Sequence, residues 1–181
     1  MPARILYLNS MTADPRIVDD EAFTALVRAH QAMVFSLAWR IVAHREVAEE
    51  LAQDVFCELF QHLGELESDR HVLFWLRQVT TRRAIDQLRR ARLRPRVGLE
   101  SAPEPIAPAA DSDPWRDQRL QACVAELPPD QRIAVTLRYQ EDMDPMEIAR
   151  MLGENVNTIK SRLQRALQTL RTRAELMEVV S

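Results

Sequence analysis

The chain has 181 residues, 46% of them hydrophobic and 28% charged, with a net charge of −3. That length suits one ordinary domain or two small ones, and the composition allows a soluble chain to bury a core. Three glycines and 6% aromatics argue against a sandwich or barrel built on many tight turns, and no apolar run approaches the roughly 20 residues that span a bilayer. The opening stretch MPARILYLNSMTADPR lacks the apolar core and small-residue cleavage site of a secretory signal. Cys57 and Cys123 stand far apart with no C-x-x-C pair, which suits a reducing cytosol and gives no zinc knuckle. The expectation is an all-α, cytoplasmic protein without membrane insertion.

In chain order, Phe23, Leu26, Val27, Met33, Val34, Leu37 and Ile41 recur at three-to-four spacing and predict a helix over about 20–43. A second helix is predicted over about 46–63, with Ala48, Leu51, Val55, Leu59 and Leu63 on its buried stripe and Gly64 as its stop. A polar stretch from Glu65 to Arg70 leads to a third over about 72–92, with Leu73, Leu76, Thr80, Ala84 and Leu88 inward and Pro95 closing it. The segment VGLESAPEPIAPAADS, residues 97–112, carries three prolines and no periodicity, so it reads as a spacer. Residues 1–19 are expected to be an N-terminal extension, 20–96 and 113–181 two helical domains.

In the second domain, helices are predicted over about 114–126 and 130–139, broken by Pro128 and Pro129. Asp144 reads as an N-cap, Pro145 as the first helical residue and Glu147 as the third, a capping box. Gly153 ends that short helix and Asn155 caps the next, whose stripe is Val156, Ile159, Leu163, Ala166, Leu167 and Leu170. Two helices joined by a short Gly-containing turn make a helix-turn-helix.

Charge is segregated. Seven acids and no Lys or Arg lie between Glu46 and Glu67, eight arginines against one acid between Arg77 and Arg96, and five bases and no acid between Asn155 and Arg173. A polyanion responds to that local field rather than to the net charge. With Val156, Ile159 and Leu163 inward, Asn157, Thr158, Lys160, Ser161, Arg162, Gln164 and Arg165 lie on the other faces of the last helix, as residues that reach phosphates and base edges in a major groove. Phe74 and Trp75 open the arginine-rich third helix and could stack on unpaired bases. Glu50, Asp54, Glu58 and His62 recur every fourth residue along one face of the acidic helix. No matching second carboxylate segment supports a metal there, so a docking surface for a protein partner is favoured. No nucleophile motif and no phosphate-cradling Gly loop is present, so neither an enzyme nor a cofactor is expected.

Three stretches together resemble the extracytoplasmic-function sigma factors of the sigma-70 family: AEELAQDVFCELFQHL, FWLRQVTTRRAIDQLRRARLR and LPPDQRIAVTLRYQEDMDPMEIARMLGENVNTIKSRLQRALQTLR. The resemblance spans about residues 20–175, and Thr158 to Ala166 (TIKSRLQRA) is its most specific part. It implies two small helical bundles, region 2-like and region 4-like, joined by the Pro-rich linker. It further implies promoter DNA and core RNA polymerase (β′ clamp helices and β flap) as partners, with an anti-sigma factor as regulator. Carried over by position, Glu50, Gln53, Asp54 and Glu58 would face the polymerase clamp. Trp75, Thr81, Arg82, Asp86, Arg89 and Arg90 would lie at the −10 strand, with Arg82 standing where many members have Asn. The seven residues of the last helix named above would serve the −35 element. The alternative of a different class is a stand-alone helix-turn-helix regulator whose first domain senses a signal or dimerises.

Overall fold

The computed structural model describes residues 20–93 and 114–179, which form helices and short turns. The expected extension 1–19 and spacer 97–112 lie outside the described residues. The first block holds α1 (Asp20–Val42), α2 (Arg45–His62) and α3 (Asp69–Leu93); the second holds α4 (Pro114–Ala125), α5 (Pro129–Tyr139), α6 (Pro145–Leu152) and α7 (Val156–Val179).

In the first block α1 packs on both α2 and α3. Val34, Leu37, Ala38 and Ile41 of α1 meet Ala48, Val55 and Leu59 of α2 and Val72, Leu76 and Ala84 of α3 in one cluster, each fully sequestered. Two boundaries differ from the sequence expectation. Gly64 is not a left-handed stop: α2 ends at His62 and runs into a 3-10 turn over Leu63–Glu65. The left-handed position between helices is instead Ala43, at φ 57°, whose N–H donates to the carbonyl of Trp39 at 2.7 Å and closes α1. α3 starts a turn early because the Ser68 hydroxyl accepts from the N–H of His71 at 3.2 Å, satisfying one of the donors a helix start leaves open.

The helix-turn-helix expectation holds in detail. The Asp144 carboxylate accepts from the N–H groups of Met146 and Glu147, while the Glu147 carboxylate accepts from the N–H of Asp144, a complete capping box. Gly153 sits at φ 66°, the left-handed conformation that favours glycine after a helix. The Asn155 side chain then accepts from the N–H of Asn157 at 2.8 Å and starts α7.

α5 is the surprise. Six consecutive residues, Arg132 to Leu137, are buried, so the helix is covered on every side. α7 and α6 cover part of it, and α1 of the first block covers another. Its charged member, Arg132, donates to the carbonyl of Ala125 at the end of α4, and burial lowers its pKa from the usual guanidinium value. The sequence reading gave α5 only the task of completing its own bundle. In the structure it joins the two blocks: the Gln140 amide donates to the Ser36 hydroxyl at 2.8 Å, and α3 touches α6.

Two outcomes follow. Leu137→Ala, which empties a fully buried position, is expected to destabilise the protein by about 2–5 kcal/mol in chemical denaturation. Hydrogen bonds from Glu147 and Met146 hold the Asp144 carboxyl below its ordinary value of 3.8. A depressed folded pKa means the cap stabilises fully above that ordinary value and fades as pH falls through the lower folded one. Asp144→Ala should therefore lower the melting midpoint by a few degrees at pH 7, and the difference from the parent should shrink in strongly acidic buffer.

Candidate nucleic-acid and protein interfaces

α7 presents the first surface. Ile159, Leu163 and Ala166 anchor it against α5 and α6, which turns Asn157, Thr158, Lys160, Ser161, Gln164 and Arg165 outward, all exposed. Six of the seven residues expected to read duplex DNA thus share an accessible face in the first turns of the helix. The seventh does not. The Arg162 guanidinium is turned back into the protein, paired with Asp130 at the start of α5 (3.3 Å) and with Glu154 in the turn, and its side chain is only 22% exposed. This corrects its expected role: in this structure Arg162 braces the recognition helix rather than facing DNA. Arg173, counted among the basic residues of this stretch, is likewise committed, to Glu126 at 2.9 Å and to the carbonyl of Cys123.

The second surface is a groove of about 360 Å³ between α2 and α3. Glu50, Asp54 and Glu58 stand on one wall, Arg82, Arg83, Asp86 and Arg90 on the other, over a floor that includes Val47, Leu51 and Val79. The sequence reading assigned the acids to a protein partner and the arginines to a DNA strand. The structure brings both sets to one groove. Arg83, which the sequence reading did not single out, spans it: its guanidinium reaches Glu58 at 2.6 Å and Asp54 at 3.1 Å. Its position opposite the every-fourth-residue acid ladder is a long-range coincidence that no local pattern reveals. Arg83 occupies the place a cation would take between these carboxylates, yet Asp54 remains 60% exposed and Glu50 and Gln53 are exposed. The acidic face is therefore partly neutralised but accessible.

The residues expected at the −10 strand divide. Arg82, Arg89 and Arg90 are exposed, and Asp86 is partly exposed and paired with Arg89 at 3.3 Å. Thr81 is a correction: it is fully buried, because both α1 and α2 cover the middle of α3, and it offers nothing to a strand. Trp75 keeps part of its surface exposed. It is half-buried against the core with its ring centroid 5.9 Å from that of His62, whereas its neighbour Phe74 is the exposed aromatic at 42%.

Comparison with known proteins agrees with this layout. The family profile described as Sigma-70 region 2 matches residues 26–94, and that described as Sigma-70, region 4 matches residues 117–170. The chain is 35% identical over 81% of its length to the ECF RNA polymerase sigma factor SigE of Mycolicibacterium smegmatis, and 34% identical over 83% to the probable RNA polymerase sigma factor RfaY of Xanthomonas campestris. It spans only 59% and 40% of those two relatives. The ECF RNA polymerase sigma factor SigK of Mycobacterium sp. strain KMS is 28% identical, with 84% of this chain and 83% of that protein covered. In fold the chain is similar to the sigma factor RpoE of Bartonella quintana, solved with the anti-sigma factor NepR (TM-score 0.70, 23% identity, 88% and 98% coverage). It is also similar to CnrH, solved with the cytosolic domain of CnrY (TM-score 0.61, 20% identity, 92% and 94% coverage).

The Arg162 brace makes a prediction whose sign opposes simple electrostatics. Removing an acid beside a DNA-binding helix should ordinarily raise affinity. Glu154→Gln should instead lower affinity for a −35 duplex, by up to about fivefold, because the recognition helix loses part of its anchor. A titration showing a rise would mean that Glu154 withholds Arg162 from phosphate, not that it positions the helix.

Proposed function

This chain belongs to the sigma-70 family, in the extracytoplasmic-function group, and from that premise we propose that it directs transcription initiation by carrying core RNA polymerase to promoters. The division of labour assigns residues 20–96 to the polymerase and the −10 element, and residues 113–181 to the −35 element. The observation that carries the reading is the exposed row Lys160, Ser161, Gln164 and Arg165 in the first turns of a capped helix, set behind a complete helix-turn-helix. Duplex recognition needs such a helix in a major groove, where an Arg fork matches the acceptors of guanine. Holding a separated strand needs cations and an exposed ring instead, which Arg82, Arg89, Arg90 and Phe74 supply.

The polymerase would dock on the acid-lined wall of α2, through Glu50, Gln53 and Asp54. Carboxylates there would repel DNA and steer a basic partner. RNA synthesis itself is the polymerase's chemistry, and this chain contributes binding and strand capture. No described helix is long and apolar enough to cross a membrane, which suits work beside cytoplasmic polymerase. An anti-sigma factor, the kind of protein named with the RpoE structure, is the natural regulator. The stand-alone regulator is set aside because its sensing or dimerising domain would fall where region 2 matches.

Reconstitution with core polymerase on a promoter template tests the proposal. Transcripts should depend on the added chain. Arg165→Ala should reduce them about tenfold to hundredfold at promoters that need the −35 element, the effect of losing one good base contact. Asp54→Arg should weaken capture of core polymerase in a pull-down without changing binding to a −35 duplex. If the chain neither binds core polymerase nor supports a promoter-specific transcript, the reading fails.

A further inference from the structure

The acid-lined wall of α2 already holds one cation of the chain's own. The Nε and Nη2 groups of Arg83 donate to a single oxygen of Glu58, at 2.9 and 2.6 Å. Its Nη1 group donates to one oxygen of Asp54 at the longer distance of 3.1 Å. The fork is therefore shared unequally, two N–H groups to Glu58 and one to Asp54. Glu50, one turn before Asp54, is exposed and makes no ion pair among the described residues.

Packing does not need this bridge. α2 and α3 already share a buried core, with Leu51, Val55 and Leu59 on one side and Leu76 and Ala84 on the other. The Arg83 side chain is 37% exposed and that of Asp54 60%, and an ion pair so open to water adds little net stability. Its larger effect is on the local field. Carboxylates one turn apart on a helix repel one another and together attract cations. A guanidinium in contact with two of them cancels part of that attraction. A basic group arriving at Asp54 thus meets a positive charge already in place, and it must displace that charge or bear its repulsion at close range. Asp54 is the weaker hold, so it yields first, while Arg83 withdraws onto Glu58.

We propose that Arg83 is an internal competitor for the basic groups of core RNA polymerase at Asp54, and that it sets this chain's hold on the polymerase below what its carboxylates alone would give. The inference rests on the functional reading above and deepens it: Asp54 is the contested contact, and Glu58 anchors the competitor. Association of core polymerase with the full chain, followed at low and at high salt, reads the effect. Arg83→Gln should associate about threefold to tenfold faster at low salt, with the gain shrinking as salt rises. Arg83→Lys keeps the charge and should stay within about twofold of the parent. In an Asp54→Asn background, Arg83→Gln should lose most of its gain, because the contested carboxylate is gone. A hexaarginine peptide, used without polymerase, should likewise bind Arg83→Gln more tightly than the parent.

A brace that merely shaped the wall would give the opposite sign. If Arg83→Gln folds and associates with polymerase no faster than the parent, the proposal is overturned. An undiminished gain in the Asp54→Asn background also overturns it, since Arg83 would then act through the general field and not at Asp54. Failure of the parent to bind core polymerase at all would count against the functional reading instead. The peptide would still judge the competitor, and no gain in its binding would sink it. Should Arg83→Gln fail to fold, Arg83→Met, which keeps the aliphatic stem and removes the charge, carries the same expectations.

Discussion

The burial of the middle of α5, Arg132 to Leu137, is the constraint on which the rest of the molecule depends. A helix of 11 residues has little stability of its own in water and is held by what covers it. α7 leans on one side of it, α6 on another and α1 on a third. The orientation of the recognition helix and the docking of the two blocks are consequently set by the same short segment. Leu137, Ala134 and Ile133 supply the apolar contact, and Arg132 ties the segment back to the end of α4. A change that shifts α5 would tilt the reading face of α7 and loosen the other block together.

Arginine does two unlike jobs here, in a chain where 23 of the 24 basic residues are arginines and Lys160 is the lone lysine. Arg77, Arg83, Arg162 and Arg173 are braces, each reaching a carboxylate on another element. A planar fork can hold two acceptors at once, as Arg83 does with Asp54 and Glu58 and Arg162 does with Asp130 and Glu154. Arg82, Arg89, Arg90 and Arg165 remain exposed. Counting basic residues along the sequence therefore overstates the positive charge left free at the surface, because part of each basic stretch is paired with the protein's own carboxylates.

What was legible in the sequence was what is encoded locally. The capping box at Asp144, the turn at Gly153 and the stripe Ile159, Leu163 and Ala166 are each fixed by residues within a turn or two of one another, and each was found. What escaped depends on chain segments far apart. Thr81 comes to the −10 set only through the family resemblance, carried over by position, and cover from both α1 and α2 buries it together with Thr80 on the apolar stripe. Arg162 was read as outward because its own helix gives no sign of Asp130, which lies on another element. The burial of α5 was hidden by Arg132 and Thr136, polar residues that break an apolar pattern while being buried all the same. The Arg77–Glu141 pair links residues 64 apart, beyond any periodicity.

The central claim is the proposal that this chain carries core RNA polymerase to promoters. Transcript yield from a template carrying both elements, with purified core polymerase and with or without the chain, measures it directly. Transcripts should appear only with the chain present and should be lost when either element is replaced by unrelated sequence. Equal yield with and without the chain would contradict the account.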